Sequence, residues 1–429
     1  MNVSFNTLGC KVNQFETEAM MELFEKKGYT VVEPSDVTDV FVINTCAVTA
    51  ESDRKSRQII NKAKRINAES IVIAVGCSVQ IHPDTIGETT CADIIIGSKD
   101  KSNIVEYLEK YVKENHKINM VEAFAKKEEF EELSISKEHD KTRANIKIQD
   151  GCNMFCSYCI IPYTRGPIRS RKADDIIQEI RNLADKGYKE VVINGIHVAS
   201  YGKDRQEKDA LIELLEEIDK IEGIERIRFG SLEPKVIDEN FMKRLSKMNK
   251  ICDHFHLSLQ SGSDDVLKAM NRKYTAEEYS DRVDLIRKFM PSAGITTDII
   301  VGFAGETDDN FEETLAFVKK IKFSRIHVFR YSIRQGTKAA EFKNQINGKI
   351  KSERSHRLIK LADKMTDDFL NDYIGNEVEI LIERREKDYF EGYTSNYLKC
   401  KIFGNNIEEN KIVKVMVKEI DNETLICER

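Results

Sequence analysis

The sequence predicts an α/β protein in three parts: an N-terminal doubly wound parallel-sheet domain, a central partial (β/α)6 barrel, and a small antiparallel β-barrel at the C-terminal end. Three observations predict it. Over residues 1–113, short apolar runs alternate with amphipathic stretches, which is the doubly wound pattern. Six further strand–helix units follow from residue 143. In the last part, residues 374–429, the apolar runs have no helices between them and are broken by Gly, Asn and Asp.

In the first domain, NVSFNTL (2–8), DVFVINT (39–45), SIVIAVG (70–76) and ADIIIG (92–97) read as buried parallel strands, because they are apolar on both faces. Amphipathic helices lie between them, such as NQFETEAMMELFEKKG (13–28), with Gly28 as its C-cap. Residues 114–142 are rich in Lys and Glu and poor in periodicity, and read as a charged connector with some helical character. The barrel domain, 143–373, offers ANIKIQ (144–149), EVVING (190–195), IERIRFG (224–230), DHFHLSL (253–259), ITTDIIV (295–301) and RIHVFRY (325–331). Six units where a full barrel has eight predict an incomplete one. A long amphipathic helix over 349–373 follows, and then EVEILIE, YLKCKIF, KIVKVMV and ETLICE as strands of the last barrel.

Composition narrows the function classes. The 429 residues are 41% hydrophobic and 33% charged, an ordinary globular balance. The longest apolar runs are strand-length, far short of the roughly 20 residues a membrane helix needs, so no membrane association is expected. MNVSFNTLGCKVN lacks a basic and an apolar leader region, so a cytoplasmic location is expected. Ten cysteines in such a chain point to metal or redox chemistry rather than a disulfide framework. The net charge of −6 argues against indiscriminate nucleic-acid binding but leaves room for a local basic patch.

Six of the ten cysteines form two sets of three. Cys152, Cys156 and Cys159, in CNMFCSYC, directly follow the first barrel strand, at the end where barrel enzymes keep their chemistry. The C-x3-C-x2-C spacing lets one loop hold three corners of an iron–sulfur cluster. Zinc is the ordinary alternative, but it needs a fourth ligand, and no Cys or His occurs between 160 and 196. A 4Fe–4S cluster tolerates three, because its fourth iron can take S-adenosylmethionine (SAM), a carrier of radical chemistry. Cys10, Cys46 and Cys77 end three successive strands, where doubly wound sheets bind ligands. Glycines before Cys10 and Cys77 would let backbone approach a cluster closely. Buried free cysteine is common, and that is the expectation for Cys91, Cys252, Cys400 and Cys427.

The cysteine spacing, with the aromatic Tyr158 before the last thiol, resembles the radical SAM superfamily. Together with the scattered N-terminal triad and the small terminal barrel, the chain resembles the methylthiotransferase family over nearly its whole length. TLGCKVNQFET (7–17), NTCAVT (44–49) and DGCNMFCSYCIIPYTRGPIRSR (150–171) are most similar to the tRNA enzymes acting on N6-threonylcarbamoyladenosine. Relatives act on isopentenyladenosine in tRNA or on a ribosomal-protein aspartate. The resemblance implies two 4Fe–4S clusters, a SAM-cleaving one on Cys152, Cys156 and Cys159 and an auxiliary one on Cys10, Cys46 and Cys77. It implies two SAM per turnover, a tRNA substrate modified beside the anticodon at position 37, a reducing electron donor, and a TRAM-like RNA-binding tail. It names no sulfur source. An RNA-binding iron–sulfur redox sensor without SAM chemistry is the reading from another class.

Tyr158, Ser258 and Gln260 are the candidate cofactor-binding residues, the last two as polar handles at the end of the fourth barrel strand in HLSLQSGS. NGIHVASYG (194–202) and TTDIIVGFAGE (296–306) end two other strands, and turn chemistry is their ordinary reading. The family usually has Pro where this chain has Ala304, and often where it has Arg330. Arg165, Arg169, Arg171 and Lys172, and the helix RKSRQIINKAKR (54–65), are candidates to face tRNA phosphates. The tail holds nine Lys plus Arg against twelve Asp plus Glu from residue 375, so RNA binding there would rest on stacking by Tyr389, Phe390 and Tyr393.

Overall fold

The computed structural model describes residues 1–35, 37–136, 142–404 and 407–429; part of the charged connector, 137–141, lies outside the described residues. Six strands form the N-terminal sheet: β1 (Asn2–Thr7), β2 (Thr30–Val31), β3 (Val40–Thr45), β4 (Ile71–Gly76), β5 (Ile94–Ile96) and β6 (Ile118–Met120). All pairs are parallel, in the order β2-β1-β3-β4-β5-β6. The order reverses at β1, which puts a topological switch point between β1 and β3. Both faces are covered. Val42, Val75 and Ile96 pack with Met20, Phe24 and Leu108 on one face; Phe41, Ile43 and Ala74 pack with Ile60 and Ile86 on the other.

The charged stretch differs from its expectation. Instead of helix it supplies the edge strand β6, whose Ile118 pairs with Ile94. An edge strand needs few buried side chains, so its charged flanks masked it. Further on, Leu133 and Ile135 pack against Phe15 and Ala19, which ties the stretch to the N-terminal domain.

The central part begins with β7 (Arg143–Asp150) and its short antiparallel partner β8 (Arg169–Ser170). It continues with β9 (Glu190–Gly195), β10 (Arg226–Phe229), β11 (His254–His256), β12 (Gly294–Val301) and β13 (Arg325–Arg330). β7, β9 and β10 are parallel neighbours, as are β11, β12 and β13. Isolated bridges at Ile227–Ile251 and Leu232–Leu257 join the two groups. Among the described residues nothing pairs β13 with β7, so the six-strand arc is an open, partial barrel. Side chains alternate along β7. Ala144, Ile146 and Ile148 enter the helix-packed core, and Asn145, Lys147 and Gln149 face the other way, into the arc. The helix Gly348–Asn371 covers β13, as its amphipathic pattern predicts.

β14 (Glu377–Arg385), β15 (Phe390–Thr394), β16 (Lys399–Phe403), β17 (Ile412–Asp421) and β18 (Thr424–Glu428) close the terminal barrel. Every pair is antiparallel except β16–β18, which is parallel. β15, FEGYT, breaks the expected alternation at Gly392, where a Cβ would lie 2.2 Å from the Leu381 carbonyl oxygen. This barrel docks on the amino ends of the central strands: Arg226 Nη1 donates to the Tyr393 carbonyl at 2.8 Å, and Arg228 Nη1 to the Ser395 carbonyl at 2.8 Å. Tyr393, expected to stack on RNA, instead stacks on Tyr397 at 5.1 Å with the Arg143 guanidinium over both rings. Phe390 likewise packs against the barrel's own core. Cys252, Cys400 and Cys427 are buried free thiols and Cys91 is half-buried, in line with their structural reading.

A buried charge network joins the first two domains. Glu16, on the helix Lys11–Lys26, is fully buried. Lys147 Nζ of β7 lies 2.7 Å from its carboxylate, Lys101 Nζ 3.4 Å, and Arg165 pairs with it as well. Asp150 takes Lys147 at 2.7 Å, Arg169 at 3.2 Å and Arg165 at 3.5 Å. Burial alone would raise the Glu16 carboxyl, but Arg165, Lys101 and Lys147 outweigh it and hold it well below the usual carboxylate range.

Removing one partner of such a network leaves the others uncompensated. Glu16→Gln is therefore expected to cost about 3–5 kcal/mol at pH 7, read by urea unfolding. A depressed folded pKa contributes stability that is complete above the unfolded value, about 4.3, and drains away as pH falls below it. The gap between wild type and Glu16→Gln should be level from pH 7 to about 5 and shrink below about 4. A gap unchanged at low pH would show that Glu16 does not carry this charge.

Candidate active site

The first thiol triad sits at the carboxyl ends of three adjacent strands. Cys10 follows β1 as the N-cap of the helix Lys11–Lys26, Cys46 follows β3, and Cys77 follows β4 and opens the helix Cys77–Ile81. These positions span the switch point, where loops diverge and leave a crevice. The three thiols lie within electrostatic reach of one another. Cys46 and Cys77 are buried and Cys10 is exposed. Gly9, at φ +108°, comes so close that a Cβ would meet Cys46 Sγ at 3.0 Å. Gly76, at φ +96°, leaves no room for a Cβ beside the Asn44 amide. The two glycines thus serve the approach of the loops to each other. Asn13 ties those loops together, donating to the Leu8 carbonyl at 2.7 Å and the Thr45 carbonyl at 3.0 Å.

The second triad lies in the loop after β7. Cys152 N donates to the Gly166 carbonyl at 3.0 Å and Ser157 N to the Met270 carbonyl at 3.0 Å, which pins the loop at its start and middle, and Cys159 N donates to the Cys156 carbonyl at 2.9 Å, which closes a turn within it. Burial pushes the thiols of Cys152 up to about 11 and Cys159 up to about 12, and neighbouring Cys156 adds to both. Burial likewise holds Cys46 at about 11. Such thiols are neutral at physiological pH and ionise when a metal takes the proton's place.

One guanidinium donates to a sulfur in each triad. Arg272 Nη1 lies 3.4 Å from Cys156 Sγ, and its Nη2 donates to the Ser258 carbonyl at 3.2 Å. Arg165 Nε lies 3.3 Å from Cys77 Sγ, and its Nη2 donates to Asn13 Oδ1 at 2.6 Å. Arg165 closes the helix Ile161–Arg165, which starts two residues after Cys159 and packs on the helix Cys77–Ile81. Ile160 also packs on Ala47 and Cys77. The two triads therefore flank one short helix.

The candidate SAM residues have distinct surroundings. Ser258 Oγ lies 3.1 Å from Ser231 Oγ, and the Tyr274 hydroxyl donates to the Ser258 carbonyl at 2.5 Å. Gln260 adopts φ +73°, uncommon for a side-chain-bearing residue, and its backbone pairs with Asp298 and Ile300 of β12. The Tyr158 ring packs against an apolar cluster that includes Val266, Met270 and Phe303. Three residues here were not legible in the sequence: Arg272, Tyr274 and His197. His197 Nδ1 lies 2.7 Å from Ser200 Oγ, and its Nε2 is buried without a partner among the described residues. Burial, with Lys203 and Arg272 nearby, pushes its pKa down to about 4, so the ring is neutral. Only the fold shows that it lies near Arg272.

The basic run after the loop does not face solvent. Arg165, Arg169 and Arg171 are buried; Arg169 serves Asp150, and Arg171 pairs with Glu179. Of that run only Lys172 is exposed. A groove of about 590 Å³ lies instead beside Asn153, of mixed charge: Lys126, Lys127, Lys203 and Arg205 line it together with Glu128, Glu129 and Asp204. Next to it, Phe155 and Tyr163 are each about half exposed and meet edge to face at 5.8 Å.

Residues 2–97 match the family described as "Uncharacterized protein family UPF0004", and residues 146–318 match the Radical SAM superfamily. The chain is 42% identical to a threonylcarbamoyladenosine tRNA methylthiotransferase of Bacillus subtilis, over 97% of this chain and 93% of that one. It is 37% identical to the enzyme of the same name from Thermotoga maritima, over 99% and 96%. It is 35% identical to a tRNA-2-methylthio-N6-dimethylallyladenosine synthase of Clostridium botulinum, over 98% and 95%. Among solved structures, the radical S-adenosylmethionine methyltransferase TsrM of Kitasatospora setae superposes with a TM-score of 0.56 over 76% of this chain and 72% of that one, at 14% identity. That likeness speaks to the fold alone. Identity to the first three runs from the first sheet through the last barrel, and both thiol triads fall within the matched residues. The chain therefore belongs to the methylthiotransferase family of radical SAM enzymes.

Proposed function

We propose that the protein converts N6-threonylcarbamoyladenosine at tRNA position 37 to its 2-methylthio derivative, using two 4Fe–4S clusters and two SAM per turnover. The observation that carries this reading is the pair of three-thiol sets flanking one short helix. Curated relatives named for that reaction, alike over nearly the full chain, support the choice of substrate.

The residues fit the groups. Each set offers three thiols, which leaves one iron of a cubane without a protein ligand. Each set also has a guanidinium on one sulfur, suited to an anionic cluster. Cys152, Cys156 and Cys159 would hold the SAM-cleaving cluster, with Tyr158, Ser258 and Gln260 around SAM; Cys10, Cys46 and Cys77 would hold the other. When bound, these groups would supply one-electron cleavage of SAM and an open iron at which the incoming sulfur can wait. The protein's part is positioning. The carbon-2 hydrogen of adenine is unactivated and no side chain removes it as a proton. The chain must instead hold that carbon between the two triads and keep water out. The helix Ile161–Arg165 sets their separation. Phe155 and Tyr163 offer faces on which bases beside the target can stack, and Lys126, Lys127 and Lys203 of the mixed-charge groove offer charge for phosphates.

Cys156→Ala should abolish 5′-deoxyadenosine formation from SAM under dithionite in anaerobically reconstituted protein. Cys46→Ala should retain part of that formation but yield no methylthio nucleoside by mass spectrometry. Full methylthiolation by Cys46→Ala would break the assignment of the second triad, and no cleavage by the wild type would leave the redox-sensor reading. In a deletion strain without a paralogue, persistence of 2-methylthio-N6-threonylcarbamoyladenosine would refute the substrate.

Phe155→Ala and Tyr163→Ala should each weaken anticodon stem-loop binding by about 1–3 kcal/mol, the worth of one base–aromatic stack, without changing iron content. Unchanged affinity in both variants would mean that RNA does not pass over this pair.

A further inference from the structure

We propose that a cavity beside Cys10 is the specificity pocket for the substituent on the target adenine, and that the Lys11 ammonium binds that substituent's carboxylate. The inference rests on the substrate reading above and deepens it.

The cavity, of about 400 Å³, lies where all three domains meet at the amino end of the central arc. Lys11 and Gln14 come from the first helix, Asn145 and Val192 from β7 and β9, and Tyr393 and Tyr397 from the terminal barrel. Four cations and two carboxylates line it. Three of the cations are already satisfied: Arg143 pairs with Glu383 at 2.7 Å, Lys399 with Glu391 at 2.9 Å, and Arg384 with Glu391. Nearby Glu190 is held by Arg228 at 2.6 Å. Among the described residues no carboxylate forms an ion pair with Lys11. The residue is exposed, but Tyr397, Arg143, Arg228 and Glu190 surround its ammonium and crowd it away from bulk solvent. Lys11 is thus the lining cation left without a carboxylate partner among the described residues.

Its place relative to the reaction suits the substrate. Lys11 directly follows Cys10, so the ammonium is tethered to the first triad. When carbon 2 of the adenine faces that triad, the N6 substituent leaves the ring from another edge. A threonylcarbamoyl group carries a ureido amide, a hydroxyl and, at its end, a carboxylate. Lys11 can meet the carboxylate, and Gln14 and the Tyr397 hydroxyl can meet the neutral polar atoms. A dimethylallyl group carries none of these and would leave the ammonium desolvated and unpaired, which discriminates more strongly than a missing methyl contact.

The test titrates the reconstituted holoenzyme with three anticodon stem-loops, bearing threonylcarbamoyladenosine, its methylamide, or dimethylallyladenosine. Wild type should bind the carboxylate form about tenfold to a hundredfold more tightly than the methylamide, the range for a charge-assisted hydrogen bond. Lys11→Gln should bind the two alike, and Lys11→Arg should keep part of the preference; iron content confirms that each variant is folded and loaded. Equal binding of both forms by wild type, or an undiminished preference in Lys11→Gln, overturns the proposal. The two readings separate. Product from the carboxylate stem-loop without any binding preference removes the pocket and keeps the function. A Lys11-dependent preference without product keeps the pocket and removes the function.

Discussion

Glu16 belongs to the first helix of the N-terminal domain, yet the cations that neutralise it include two from the central barrel. Lys147 comes from the first barrel strand and Arg165 from the helix behind the loop of Cys152, Cys156 and Cys159. These contacts have no access to water, so each side of the network is costly to expose without the other. The docking of the two domains is consequently fixed in register. Arg165 carries that register to the chemistry, because the guanidinium that grips Glu16 also donates to Cys77. The separation of the two thiol triads rests on this side chain together with the packing of its helix and of Ile160 against Cys77.

Charge balance gives the network a second consequence. Around Glu16 and Asp150 gather Lys101, Lys147, Arg165 and Arg169, four cations on two carboxylates. The imbalance lies next to Cys77. An anionic cluster on the first triad would complete it, and its loading would then be coupled in free energy to the docking of the domains. The same logic holds at Arg272, which shares itself between Cys156 and the carbonyl of Ser258.

The two triads reach the same count by opposite routes. Cys152, Cys156 and Cys159 are close in sequence and need only one pinned loop. Cys10, Cys46 and Cys77 are distant in sequence and need a parallel sheet whose order reverses between β1 and β3. The switch point brings the ends of β1, β3 and β4 side by side and opens the crevice in which a ligand can sit. Lys11 inherits this placement from Cys10 and so reaches the amino end of the arc, beside Arg143 and Tyr397.

The sequence by itself determined the three-part architecture, the strand ends that carry the six thiols, and their grouping into two sets of three. Those features are local: an apolar run, a turn residue, and a cysteine at a fixed offset are all visible within a few residues. Tertiary structure alone decided the charges. Arg165, Arg169 and Arg171 read as a basic surface, because nothing local distinguishes a solvated arginine from one buried against a distant carboxylate; Glu16 lies 149 positions from Arg165. Tyr393 read as an RNA platform for the same reason, until Arg143 and Tyr397 came to lie against it. The edge strand β6 escaped because it buries few side chains, and β15 because its buried positions are Glu391, Gly392 and Thr394, so neither leaves an apolar signal. Which cation is left unpaired is a property of every neighbour at once, and that is why Lys11 became conspicuous only in the fold.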